Sequence, residues 1–368
     1  MAGDTALDQD ERIKEEPLIA RLMKRPELGA IAGVVLVTIF FLFTADSSMF
    51  TLSGFMNFMS PAAQLGILAI GAAMLMIGGE FDLSIGSMVA FAGMIFGAFT
   101  VNLGLPLVAA IPLTLLVAAC MGAVNGQIVI RTGLPSFIVT LAFLFILRGI
   151  SLVGLKWLTG GATQLRGVRD AVETDFLAPV FSGEAFSGLF AWFASLGLIE
   201  TFKNGTPKVA GIPVEILWFA GLAIVATYVL LRTPWGNWVF AAGGDANAAS
   251  NSGVPVRKVK VALFMFTASC AALLAIIQVL DAGSTDARRG FMKEFEGIIA
   301  AVIGGCLLTG GYGSAIGAFF GSIIFGMVVI GLTYTNIDQD WFQVFLGAML
   351  LLAVMFNNVV RKRVTGER

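Results

Sequence analysis

The sequence predicts an all-α fold, a polytopic membrane bundle of about ten transmembrane helices with both termini cytoplasmic. Three observations carry that prediction. Of the 368 residues, 57% are hydrophobic and only 13% charged, and the mean hydropathy of +0.89 is far above what a water-soluble fold needs. The apolar residues gather in runs near the ~20 that a helix needs to cross the hydrocarbon core. Alternating barrel-type strands are absent, and lipid cannot satisfy an open backbone, so the runs must be helical.

The runs fall at 29–45, 61–77, 85–101, 105–128, 135–155, 214–231, 259–280, 296–309, 314–333 and 341–359. The run at 296–309 is too short to cross alone and is expected to be broken or re-entrant. Arg21, Lys24 and Arg25 precede the first run. With ten crossings, Arg131, Arg232, Arg257, Lys258, Lys260, Arg361, Lys362 and Arg363 fall on that same side, which the positive-inside rule makes cytoplasmic. Asp46, Asp338 and Asp340 fall opposite. The chain therefore divides into a cytoplasmic tail (1–27), a transmembrane domain (28–360) and a second cytoplasmic tail (361–368). The first tail is acidic, then basic, unlike a signal peptide. The domain carries a long external loop at 156–213 and a cytoplasmic loop at 233–258.

Within the external loop, "GLFAWFASLGLI" (188–199) is too short to span. Trp192 and its Phe neighbours suit an interfacial anchor or a docking helix. Asn204-Gly205-Thr206 matches the glycosylation tripeptide, a motif common by chance. Glycines recur at Gly313, Gly317 and Gly321, and small residues at Gly86, Ala90, Gly93 and Gly97. Each set forms a ridge against which a neighbouring helix backbone can pack closely, within the bundle or across a dimer seam.

The inventory excludes much chemistry. There are no histidines, and Cys120, Cys270 and Cys306 are single residues inside apolar runs. That removes disulfide frameworks, the usual zinc sites, and serine or cysteine nucleophiles paired with histidine, so no catalytic residue and no metal site is expected. No GxxxxGK[ST] loop is present, so any ATP must be bound by another chain. A net charge of −1 with no basic stripe gives no electrostatic case for nucleic acid.

Two polar stretches interrupt the oily runs. In "IGGEFDLSIGSMVAF" (77–91), Gly78 and Gly79 permit a sharp turn, and Glu80 and Asp82 lie at the membrane boundary, where an ionised group needs a partner. Asp82 either caps the helix beginning near Leu83 to Ile85 or belongs to a proton or cation site. In "AAGGDANAASNSGVPVRKVK" (241–260), Asp245 is placed to cap a helix of about seven residues that ends at Gly253 and Pro255. So short a helix has little stability of its own in water, so it either docks onto something or stays a solvated loop.

"GGDANAASNSGVPVRKVKVALF" resembles the glycine–glycine, alanine–alanine, serine–glycine cytoplasmic loop of permease subunits of bacterial ABC importers for monosaccharides, the family of the ribose and xylose permeases. "GGEFDLSIGS", "VNGQIVIRTGLPSFIVTLAFLFILRGI" and "IIAAVIGGCLLTGGYGSAIGAFFG" resemble three further segments of that family, in the same order, so that most of 60–359 is covered. The resemblance implies an importer of the inner membrane with two permease copies as a homodimer. It also implies an ATPase subunit holding ATP and Mg on the cytoplasmic face, a periplasmic sugar-binding protein outside, and no cofactor on this chain. Membrane lipid is the remaining partner.

The coupling helix implied for the ATPase contact covers Gly243, Gly244, Asp245, Ala248, Ala249, Gly253 and Val254, with Arg257 and Lys258 following. The family segment at the membrane edge covers Gly78, Gly79, Asp82, Leu83, Ser84 and Gly86. The external loop of 156–213 is longer than in the shorter ribose-type members, and the chain departs from its relatives in three further places. Ser250-Asn251 stands where they usually have an Arg–Leu pair, Tyr312 where they often carry Arg, and Glu80 adds an acid.

Polar residues projecting from the runs, Asn57, Gln64, Asn125 and Gln127, either line a sugar path or bond helix to helix. Arg148, read near the external end of its run, either snorkels or pairs with an acid. Buried charge is expected to be sparse and confined to the ends of the runs. That expectation separates the importer subunit from a self-contained secondary transporter or channel, which would place paired charges or broken helices at mid-membrane in both halves.

Overall fold

The computed structural model describes residues 26–335, 337, 338 and 340–365, with side chains followed as far as Met355. The expected N-terminal tail with Arg21, Lys24 and Arg25, the side chains of Arg361, Lys362 and Arg363, and residues 366–368 lie outside the described residues.

Helix α1 (Pro26–Thr44) is followed by α2 (Leu52–Ile77), α3 (Ile85–Gly97, prolonged by a π turn over Ala98–Asn102), α4 (Leu107–Thr132) and α5 (Ser136–Thr159). The long connection then carries β1 (Gln164–Arg166), α6 (Val168–Ala171), α7 (Ala178–Phe181), β2 (Glu184–Ala185), α8 (Ser187–Ser195) and β3 (Ile212–Pro213). The second half runs through α9 (Val214–Arg232), α10 (Pro234–Gly244), α11 (Ala246–Asn251), α12 (Val256–Ala282), β4 (Ser284–Asp286), α13 (Lys293–Ile303), α14 (Ala315–Gly331) and α15 (Trp341–Thr365).

Prolines punctuate this order: Pro106, Pro135, Pro213 and Pro255 stand at the N-caps of α4, α5, α9 and α12. Proline tolerates a helix start because the missing N–H would have had no intrahelical partner there. Gly133, Gly160 and Gly283 close α4, α5 and α12 in the left-handed conformation.

Of the ten expected crossings, eight are helices long and apolar enough to span a membrane among the described residues. The run expected to be broken is α13, an 11-residue helix that ends in the glycine-rich turn before α14. α15 supplies the last apolar stretch, Trp341–Met355. α2, α3, α12 and α14 form the interior, and Leu65 through Ile77 are buried without interruption. α1, α4, α5 and α9 carry large exposed apolar side chains, among them Leu36, Phe145, Val153 and Ile224, the composition of a surface in hydrocarbon.

Both small-residue ridges close inside the chain. A Cβ at Gly321 would stand 2.1 Å from the Ala300 carbonyl oxygen, and one at Gly317 1.9 Å from that of Gly304, so α13 and α14 meet backbone to backbone. Gly313 precedes α14 and is not on that ridge. Gly93 and Gly97 receive Thr285 and Leu165, which belong to β4 and β1.

The loop at 156–213 is held by two antiparallel ribbons, β1 with β4 and β2 with β3. α8 is the short helix expected there, with Phe190 buried and Trp192 exposed. Trp218 of α9 anchors α7 by donating from Nε1 to the Val180 carbonyl at 2.8 Å and stacking on Phe181.

One expectation needs correction at 233–258. It contains two helices where one was read, because Gly243-Gly244 ends α10 and does not bracket a loop. Pro234 starts α10 one residue after α9 ends, and Trp235 and Trp238 pack edge to face on it.

Candidate functional site

Three glycine pairs far apart in sequence meet where α2 ends and α12 begins. Gly78-Gly79 closes α2, Gly243-Gly244 closes α10, and Gly310-Gly311 lies in the turn between α13 and α14. A Cβ at Gly243 would stand 1.8 Å from the Ile77 carbonyl oxygen and 2.7 Å from the Gly311 nitrogen. One at Gly310 would stand 2.7 Å from both the Gly79 Cα and the Gly243 carbonyl oxygen. Gly79 and Gly310 both have φ +81, and the Gly311 N–H donates to the Ile77 carbonyl at 2.9 Å. Only backbones without side chains can approach so closely, so this knot fixes α10 against two breaks in the bundle.

From the knot the chain turns outward. The Asp245 carboxylate accepts from the N–H groups of Asn247 and Ala248, both at 2.9 Å, and starts α11. Gly253 at φ +87 ends it, with the Val254 N–H reaching back to the Ala249 carbonyl at 3.0 Å. Ala248 is exposed whereas Ala249 is buried against the protein, so α11 keeps one face down and one face free. Ser250 and Asn251 at its end, and Arg257 and Lys258 beyond it, are exposed. Gly244 is exposed as well, with nothing within 4 Å of a Cβ placed there. The coupling residues named from sequence therefore split, with Gly243 inside the knot and Asp245, Ala248, Arg257 and Lys258 outside it.

The acidic turn lies beside this knot. Glu80 Oε1 pairs with Lys260 Nζ at 2.5 Å, both side chains largely buried, next to a cavity of about 370 Å³ that Arg257 and the α4–α5 turn also line. Asp82 is 5% exposed, and its Oδ1 accepts from the Ser84 N–H at 2.8 Å and the Ser84 hydroxyl at 2.5 Å. Asn125 Nδ2 donates to that hydroxyl at 3.0 Å. The amides of Phe81 and Leu83 donate to the hydroxyls of Ser136 and Thr140, each at 3.0 Å. Side chains of α5 thus satisfy two amides of the non-helical strap 78–84, as a backbone inside a membrane protein requires, and Asn125 of α4 holds the Ser84 side chain. Gly86, just beyond, leaves room for Glu294, whose Oε2 would lie 1.9 Å from a Cβ there.

The remaining polar residues are dispersed. Asn57 donates to the Tyr334 hydroxyl at 3.0 Å. Gln64 accepts from Gln278 at 2.9 Å, and Gln127 is exposed on α4.

A second constellation was missed from sequence. Arg148 lies near the middle of α5, which runs on to Thr159, and its Nη1 donates to the carbonyls of Ala287 and Arg289 at 3.2 and 2.9 Å. Arg289 in turn donates to the Ser284 carbonyl at 2.9 Å and to Gln278 at 3.4 Å. Glu294 is 4% exposed, and Lys293 pairs with Glu296. Since Arg148 sits mid-helix on α5, the segment around 287–289 that bonds to it lies at membrane depth. Buried charge is therefore concentrated in the bundle, not confined to the ends of the runs. The sequence signal was "DARRGFMKEFE" between two apolar runs, which read as a loop because hydropathy alone cannot tell a polar re-entrant segment from an external one. No group of three or more metal-ligating side chains occurs among the described residues.

The profile of the family described as "Branched-chain amino acid transport system / permease component" matches residues 54–354. The xylose transport system permease protein of Escherichia coli is 30% identical, over 90% of this chain and 92% of its own. The ribose import permease protein of Haemophilus influenzae is 30% identical over 89% and 91%, and that of Escherichia coli 28% over 92% and 95%. No solved structure matches the chain. With the matched region running from the start of α2 into α15, and so containing the glycine knot, the acidic strap and α11, the chain belongs to this family of transport-system permease components: a multi-pass membrane subunit of a bacterial ABC transporter that carries no catalytic site of its own.

Proposed function

We propose that the chain is the membrane subunit of an ATP-driven importer for a monosaccharide or related polyol, working by alternating access between two permease copies. The similarity to xylose and ribose permeases over nine-tenths of the chain supports the substrate class. A separate ATPase subunit binds ATP and Mg, and α11 rests on it. A sugar-binding protein delivers solute on the opposite side.

The observation that carries this reading is the junction at Asp245. On one side of it, Gly243 is wedged against Ile77 and Gly311, and on the other, α11 exposes Ala248. A push on α11 therefore has a rigid route, through backbone contacts, to the end of α2 and the turn after α13. Packed elements without compliant side chains transmit displacement in this way.

The test is co-expression with the ATPase and binding protein of the same transport system. Ala248→Arg is expected to abolish copurification of the ATPase and binding-protein-stimulated hydrolysis while the bundle keeps its thermal stability. Unchanged assembly and uptake would overturn the reading.

One observation favours a self-contained transporter: a broken, charged segment at mid-bundle is the usual hallmark of secondary carriers. Liposomes holding this chain alone decide between the two. Uphill solute movement without ATPase establishes the self-contained transporter.

A further inference from the structure

Phe291 lies in the non-helical stretch between β4 and α13 and is 59% exposed. Two guanidinium carbons, those of Arg148 and Arg288, each stand 5.9 Å from its ring centroid, within cation–π range. Arg288, Met292 and Phe295 are exposed beside it. Met292 has φ +65, a left-handed conformation that a non-glycine residue adopts at a cost, and such strain tends to persist where function holds it. In the same stretch, Arg289 Nε and Glu294 Oε2 are buried without a hydrogen-bond partner.

Two physical arguments say what surrounds this face. Irregular backbone at membrane depth is tolerated only when packed in protein or lining water. An exposed guanidinium at the depth of Arg148 is costly in hydrocarbon. The face of 288–295 is therefore turned away from lipid.

We propose that Phe291, flanked by Arg148 and Arg288, is a solute-contacting platform on the translocation path. Its ring packs on the C–H face of a monosaccharide, and the guanidinium groups donate to the hydroxyls. Flat apolar surface with a few convergent donors is what a small polyhydroxylated ring requires. This rests on the sugar-importer reading for the solute, but the position of the platform on an aqueous path can be tested without it.

The experiment uses the assembled importer in membranes, with exposed Cys120 replaced by serine. Single cysteines replace Arg288, Phe291 and, as reference, Leu36, which is 68% exposed on α1. A charged, membrane-impermeant methanethiosulfonate is applied from each side, with and without D-xylose and D-ribose. Reaction at 288 and 291 but not at 36 supports the platform. No reaction at 288 and 291, as when a second copy or lipid covers them, or equal reaction at 36, overturns it. Uptake of both sugars is measured in parallel: Phe291→Ala is expected to lower the rate about tenfold, the scale of one lost stacking or charged contact, and Phe291→Trp to retain most of it. If the unmodified importer moves neither sugar while 288 and 291 still label, the substrate reading fails and the aqueous path stands. If Phe291→Ala transports at the original rate, the platform fails and the importer reading stands.

Discussion

Lys260 Nζ lies 2.5 Å from Glu80 Oε1, joining the first turns of α12 to the strap between α2 and α3 across 180 residues of sequence. Both side chains are largely buried, so each charge depends on the other and the two residues are a structural unit. Glu80, an addition relative to the family pattern, has its partner within the chain.

Breaking that pair on one side is expected to cost about 2 kcal/mol, because a largely buried charge is left alone. Glu80→Gln and Lys260→Met should each lower Tm in detergent. The double variant Glu80→Met/Lys260→Met should recover most of the loss. A double variant as unstable as the sum of the singles would show that the two act independently.

The glycine knot makes a contrast between neighbours. Gly243→Ala drives a Cβ into the Ile77 carbonyl, and its overpacking cost is about 3 kcal/mol, read as loss of monodisperse protein on size exclusion. Gly244→Ala, with open space around its Cβ, should purify normally.

Asp245→Ala removes the acceptor for two amides at the start of α11, worth about 1 kcal/mol to that helix. The expected result is weaker binding-protein-stimulated ATP hydrolysis with the bundle's Tm unchanged. Asp245→Asn keeps an acceptor oxygen and should retain most of the stimulation.

For Asp82, the acceptor role toward Ser84 predicts that Asp82→Asn stays within about 1 kcal/mol of the parent, while Asp82→Ala loses about 2 kcal/mol through the orphaned Ser84 groups. Both are read as Tm. Uptake by Asp82→Asn should show the same pH profile as the parent; disappearance of a proton dependence would assign Asp82 to an ion site.

The helices were legible because most apolar runs have proline or glycine at one end or both, and a membrane leaves helix as the main option. The Asp245 cap and the Gly253 stop could be read locally, since capping involves residues two or three apart. The knot could not. Gly79, Gly243 and Gly310 are separated by more than sixty residues at each step, and nothing local to any of them signals the other two. α10 was hidden because Pro234 and Gly236 read as loop residues, whereas proline is tolerated in the first turn of a helix. The 284–294 segment was misplaced because it is polar, and only its bonds to Arg148 and Gln278 bring it inside.

The β1–β4 ribbon has a mechanical corollary. β1 belongs to the long connection after α5, and β4 opens the stretch that leads, five residues past Asp286, to Phe291. Any shift of that outer connection pulls on the leash of an interior residue, so shortening it would retune passage through the bundle even where it touches no other molecule.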